Sequence, residues 1–259
     1  MTKKQKPYKK IVDVHCHIDL YSNPKEIIEE CEDFGIQTIG VTTTPLAWKG
    51  NKQLVKNSKY VKCSLGLHPT IVCSKYSDIK LFKSLIKETT FVGEIGLDGS
   101  APYLDTFSRQ EEIFIEILRT CSEQGNLVLS VHSYKASKKT IELLEKFLSF
   151  ERCKVVLHWY TGNISDAKHA ESLGCYFSIN YKMIKTKKGV SLIKNISPKK
   201  ILTECDGPFI IFKGKPSRPL DIPYTIELLS NVWDCEMENT YKKVQSNFNS
   251  LIQNSIIHS

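Results

Sequence analysis

The sequence predicts an α/β protein, a single (β/α)₈ barrel of the TIM type spanning residues 1–259. Three observations carry that expectation. Short apolar runs alternate with longer amphipathic stretches along the whole chain. The length of 259 residues agrees with the size typical of this barrel. The first apolar run ends in His15-Cys16-His17, not in the glycine-rich phosphate loop that usually follows the first strand of the alternative, a doubly wound open sheet.

Taken in order, the expected strands cover 11–15, 36–41, 61–66, 91–96, 127–132, 154–158, 175–180 and 200–205, eight in all. Each is rich in β-branched and apolar residues and is followed by a crossover long enough for a helix. The first crossover, 23–35, opens with Asn23 as N-cap and Pro24 at the first helical position, and stops at Gly35. In the fourth, 108–125, Ile113, Phe114, Ile117, Leu118 and Cys121 form a single apolar stripe. The fifth, 137–150, has the same character, and the tail after Trp233 reads as a closing helix packed on the barrel.

Hydrophobic residues make up 41% of the chain, enough for a substantial core, and no low-complexity tract interrupts it. No apolar run approaches the roughly 18 residues of a membrane span. The basic N-terminus leads into a short strand instead of a signal-peptide core, so a cytoplasmic protein without a membrane partner is expected. The nine cysteines (16, 31, 63, 73, 121, 153, 175, 205, 235) are odd in number and form no C-x-x-C pair, as expected of reduced structural thiols. The net charge is +8, with basic clusters at Lys3–Lys10, 181–189, 194–200 and 212–218. This fits a polyanionic partner, and equally a lysine-rich soluble surface.

Five of the seven histidines (15, 17, 68, 132, 158) fall at or just past the C-terminal end of an expected strand. Strand C-termini converge on the functional face of such a barrel. Glu94 and Asp206 occupy equivalent positions and would be costly to bury without cationic partners. His15, His17, Glu94, His132, His158 and Asp206 therefore read as metal ligands. Six ligands are too many for one catalytic ion and suit two divalent ions if Glu94 bridges. His15, His17, Glu94 and Asp206 are expected around the first ion, and Glu94, His132 and His158 around the second. Asp206 is the candidate general base, with a pure ligand role as the alternative. His68 is assigned to a substrate phosphate, against a structural hydrogen bond.

Asp13 and Glu204 share strand parity with His15 and Asp206, and are expected to point into the barrel and orient ligands from behind. Lys154, in phase with His158, is a possible partner for one of them. Asp19 and Asp98 are expected to fix loops or outer waters. Trp159 and Tyr160 either stack on a base or pack in the core. Lys182 and Lys185, in the loop after the seventh strand, are candidate phosphate contacts, or simply solvated.

At these residues the chain resembles the TatD family of metal-dependent deoxyribonucleases, within the metal-dependent hydrolase (amidohydrolase-like) barrels. The matching motifs are, in order, DVHCHID (13–19), GLHP (66–69), VGEIGLD (92–98), VHSYKA (131–136), HWYTG (158–162) and TECDGPF (203–209). The resemblance implies hydrolysis of DNA phosphodiesters, typically as a 3′-to-5′ exonuclease on single strands or ends, with magnesium as the usual ion. Imidazole-rich ligation suits manganese or zinc as well. Tyr134 stands where the family usually has arginine, and the stretch after GEIGLD lacks the usual tyrosine and arginine; both changes bear on substrate contacts and leave the ligands intact. Family members also occur in anti-phage defence operons, including the Qat type, and the lysine-rich character is compatible with such a role and with defence-complex partners. Two alternatives remain: an esterase or deacylase on the same barrel, and a non-catalytic DNA-end-binding subunit. Many related ester and amide hydrolases carry a lysine at the fourth-strand position, where this chain has Glu94.

Overall fold

All eight expected strands form in the computed structural model, which describes residues 11–72 and 77–253. The chain runs β1 (Val12–Cys16), α1 (Pro24–Phe34), β2 (Gln37–Gly40), α2 (Pro45–Leu54), β3 (Val61–Cys63) and α3 (Ser77–Leu85). It continues through β4 (Phe91–Gly96), α4 (Phe107–Gln124), β5 (Leu127–His132), α5 (Ser137–Phe147), β6 (Cys153–His158) and α6 (Ile164–Ser172). The last quarter holds β7 (Tyr176–Ile179), α7 (Tyr181–Ile184), α8 (Lys187–Asn195) and β8 (Ile201–Thr203). A small hairpin of β9 (Ile211–Phe212) and β10 (Lys215–Pro216) precedes α9 (Ile222–Trp233) and α10 (Met237–Ile252). The run Lys3–Lys10, Cys73, His258 and the last part of the expected closing helix, 254–259, lie outside the described residues.

Neighbouring strands pair in parallel, β1 with β2, β2 with β3, and β4 through β8 in sequence. The seam between β3 and β4 closes just beyond β3: Leu65 donates to Phe91 O at 2.9 Å and receives Gly93 N–H at 2.9 Å. The seam between β8 and β1 relies on side chains low in the barrel. Thr203 Oγ1 donates to Val12 O at 2.5 Å and Cys205 N–H to Asp13 Oδ1 at 3.2 Å. Backbone pairing resumes at the strand ends, from Asp206 N–H to His15 O (3.1 Å) and from His17 N–H to Gly207 O (2.8 Å).

β1, β4 and β8 are buried on both faces, as strands inside a ring of helices must be. Odd-numbered residues of β1 face the axis, where His15 meets Ser130 of β5, while Val12 and Val14 join the apolar layer under the helices. α10 is tied to the start of β8 by Asn247 Nδ2, which donates to Ile201 O at 2.6 Å and to Pro198 O at 2.8 Å. Gly35 ends α1 in the left-handed conformation (φ 67°) that glycine adopts without penalty. Asn23 begins α1 but its side chain accepts no N–H; its amide instead donates to Glu26 Oε2 at 3.5 Å. The eight described cysteines are all free. No helix among the described residues is long and apolar enough to cross a membrane.

Candidate metal centre

Glu94 lies at the centre of the strand C-termini, and its neighbours explain how it gets there. A Cβ on Gly96 would sit 2.1 Å from His132 O, and one on Gly93 2.8 Å from Ser130 Cβ. Both glycines also have positive φ (157° at Gly93, 133° at Gly96). Only glycine lets β4 run this close to β5, and the closeness sets Glu94 beside His132.

The two Glu94 oxygens face different histidines. Oε2 lies 3.4 Å from His15 Nε2 and 3.2 Å from His17 Nε2, which are themselves 3.2 Å apart. Asp206 Oδ1 stands 3.8 Å from each of those two nitrogens. Donors bonded at about 2.0–2.2 Å to one tetrahedral ion are about 3.3–3.6 Å apart, so His15, His17 and Glu94 have close to the spacing of a ligand set, with Asp206 slightly farther out. Oε1 lies 2.7 Å from His132 Nδ1, 3.3 Å from His68 Nε2 and 3.7 Å from His158 Nε2. His15, His17, Glu94, His158 and Asp206 are all buried, and His68 and His132 partly so.

The division between the two sides differs from the sequence expectation. His68, expected to meet a substrate phosphate or make a structural hydrogen bond, shares Glu94 Oε1 with His132. His158, expected beside His132, groups instead with His15 and Asp206, its ring stacked on that of His15 at 3.6 Å.

A layer of hydrogen bonds behind the histidines sets their orientation. Ser130 Oγ bonds His15 Nδ1 at 2.7 Å, and His158 Nδ1 donates to Glu204 Oε2 at 2.9 Å, so each ring turns Nε2 toward the centre. Glu204 is held in turn by the Ser178 hydroxyl and by Asn180 Nδ2, at 2.9 Å from Oε1. These partners fill Glu204, and Lys154 reaches neither it nor Asp13. Asp13 acts through the backbone, accepting from His15 N–H (3.1 Å) and Cys205 N–H; its other oxygen is buried without a partner. His132 Nε2 lies 2.9 Å from Asp98 Oδ2, so this ring is clamped between two carboxylates. His68 Nδ1 is engaged by Thr70 Oγ1 at 2.8 Å. Asp19 fixes a loop, accepting from Asn51 at 3.0 Å.

Ser130, Ser178 and Asn180 were not singled out from the sequence, and Asp98 only as a loop residue. Parity was the available signal: Ser130 precedes His132 by two, and Asp98 follows Glu94 by four.

Burial alone would raise the Glu94 pKa, but the surrounding imidazoles, His68 and His15 first, hold it well below the usual range. Burial, then the nearby His158, pushes His15 down to about 3. Burial works against protonation of His158 and His132, yet Glu204 and Asp206 raise the first to about 10, and Asp98 and Glu94 raise the second to about 9. Burial, reinforced by Glu204 and Glu94, raises Asp206 above the normal aspartate value. Burial likewise raises Asp13 to about 7. The carboxylates thus draw positive charge into the barrel mouth. A divalent cation would supply that charge in place of the imidazole protons, and the imidazole–carboxylate donor set fits one.

Cys16 points away from this cluster, as its parity requires, toward Tyr21 OH at 3.8 Å and Gly207 O at 3.9 Å. Tyr160 is core, edge-on to Phe177 at 5.5 Å, whereas Trp159 is only half-buried. Lys182 on α7 and Lys185 just past its end are exposed, at the same end of the barrel; Lys185 lies over the rings of Tyr181 (5.6 Å) and Tyr224 (5.3 Å).

Comparison with known proteins gives consistent results. Residues 12–253 match the family described as TatD related DNase. A metal-dependent hydrolase of Buchnera aphidicola is 29% identical over 93% of this chain and 98% of its own. Human deoxyribonuclease TATDN3 is 25% identical over 92% of both chains. The crystal structure of YjjV, a TatD homologue from Escherichia coli, superposes with a TM-score of 0.84 at 20% identity, covering 94% of this chain and 98% of that one.

Proposed function

This chain belongs to the TatD related DNase family, and we propose that it hydrolyses DNA phosphodiester bonds with two divalent metal ions, acting as a 3′-to-5′ exonuclease on single strands or ends. The observation that carries the reading is the split of Glu94, with Oε2 turned to His15 and His17 and Oε1 to His68 and His132. One carboxylate shared between two imidazole groups is the arrangement two adjacent ions need.

His15, His17, Glu94 and Asp206 would hold the first ion. Glu94 and His132 would hold the second, with His68 close enough to complete its ligands or to meet the scissile phosphate, while His158 stands with His15 and Asp206. Bound there, magnesium, manganese or zinc would supply Lewis acidity to the phosphoryl oxygens and to the attacking water.

The chain's own residues supply the rest. Asp206, buried beside His15 and His17, takes the proton that the water loses. Glu204 and Ser130 fix His158 and His15 so that no reorientation is needed during the reaction. Asp13 holds the ends of β1 and β8 in register through their N–H groups. Lys182 and Lys185 offer positive charge to the phosphates of the strand beyond the cleaved bond.

Degradation of end-labelled single-stranded DNA with added Mg²⁺, Mn²⁺ or Zn²⁺ tests the reading directly. Stepwise shortening from the 3′ end, lost in chelator, is the expected result. Intact DNA with every ion, together with cleavage of carboxylic esters, would replace it with the esterase alternative.

A further inference from the structure

We propose that the cavity between the β5 and β6 loops, walled by Tyr134 and Trp159, is a nucleobase subsite that receives the base next to the cleaved phosphate. The inference rests on the reading of the chain as a DNA hydrolase and adds to it what is recognised besides phosphate.

The cavity has a volume of about 360 Å³ and is lined by His132, Ser133, Tyr134, His158, Trp159 and Thr161. It lies near the lower end of the range for small-ligand sites, roughly 300–1,000 Å³. Its two histidines belong to the candidate metal centre, so a group inside it is within one nucleotide of the reacting bond. Apart from those histidines its wall carries no ionisable group except the Tyr134 phenol, and two aromatic rings dominate it.

Both rings are accessible from the cavity. Tyr134 is 44% exposed, with Lys135 Nζ 5.6 Å from its ring centroid. Trp159 is half-buried, stands edge-on to His158 at 6.3 Å, and has a left-handed backbone (φ 37°). That conformation is rare for a bulky residue, and such outliers gather at functional sites.

A second cavity, of about 290 Å³, lies on the other side of Trp159. It shares Trp159 and Thr161 with the first, is walled further by Tyr160, Met183 and Leu192, and carries Lys182 and Lys188, the latter donating to Thr161 O. An aromatic chamber beside one that carries two lysines is compatible with the alternation of base and phosphate along a single strand. The duplex is a poorer fit, because a paired and stacked base presents no free face to Tyr134 or Trp159.

The test compares binding of oligothymidylate with a strand of equal length in which abasic tetrahydrofuran nucleotides replace every thymidine. Charge and backbone are then the same and only the bases differ. Fluorescence anisotropy on the full chain in EDTA, where cleavage is off, reads the ratio of the two affinities. Stacking of one base on an aromatic ring predicts that wild type prefers the thymidylate strand by about tenfold. Trp159→Ala should lose that preference, Trp159→Phe should keep most of it, and Tyr134→Ala should reduce it.

Equal affinity of wild type for the two strands would overturn the subsite, as would a Trp159→Ala variant that weakens both strands equally. If Trp159→Ala does not fold, the wild-type ratio together with Trp159→Phe and Tyr134→Ala decides. Base-selective binding without cleavage under any metal would leave the subsite standing and remove the nuclease reading. Cleavage without base selectivity would do the reverse.

Discussion

The two sides of Glu94 are built differently. On the Oε2 side, His15 and His17 are buried, their nitrogens lie 3.2–3.4 Å from the carboxylate, and Ser130 fixes His15 from behind. On the Oε1 side, His68 and His132 are partly exposed, and His132 is bonded at 2.7 Å to Glu94 and at 2.9 Å to Asp98. The first spacing is that of ligands around an ion, the second that of a hydrogen-bonded ion pair. On the proposed two-ion reading, the first side would accept a metal with little rearrangement. The second would have to exchange an internal hydrogen bond for coordination, and it borders the Trp159 cavity. The difference teaches that the two oxygens of one carboxylate can face sites of unequal preorganisation.

The severest way to break this asymmetry is to remove its pivot. Glu94→Gln should weaken both ions and lower kcat on single-stranded DNA by roughly 10³-fold, with circular dichroism unchanged. Substituting each side separately should have unequal results. His17→Ala is expected to abolish tight binding, whereas His132→Ala should leave one ion firmly held per chain, as elemental analysis after dialysis would show. Equal losses from the two variants would contradict the asymmetry.

Changes behind the ligands sharpen it further. Glu204→Gln should weaken metal binding by about 10–100-fold, because His158 loses the partner that sets its ring. Asp98→Asn should lower affinity for the second ion alone, since Asp98 touches only His132 among the candidate ligands. The smallest effects belong to the surface. Lys182→Ala and Lys185→Ala should each raise KM only a few-fold and reduce the salt dependence of single-strand binding by about 0.7 in log–log slope. An unchanged slope would mean that these lysines are merely solvated.

Strand periodicity made the barrel legible in the sequence, and the placement of histidines at strand ends made their convergence around Glu94 legible too. Both depend on local order along the chain. What escaped depends on contacts across the barrel. Ser130 looks like any hydroxyl in an apolar strand until β1 brings His15 opposite it. Asp98 continues the Glu94 parity past the strand end, but its contact with His132 depends on how far β5 extends. The grouping of His68 with His132, and of His158 with His15, likewise follows from barrel curvature, which no spacing in the sequence encodes. Asn23 shows the limit at a smaller scale: it occupies the N-cap position, yet its side chain turns to Glu26.

Titration of the metal-free protein with Mn²⁺ by calorimetry, for wild type and Glu94→Gln in parallel, tests the central claim most directly. The expected result is two separable classes of site in wild type, one tight and one weak, and loss of both in the variant. A single class in wild type, or two ions retained after Glu94→Gln, would contradict a centre bridged by this carboxylate.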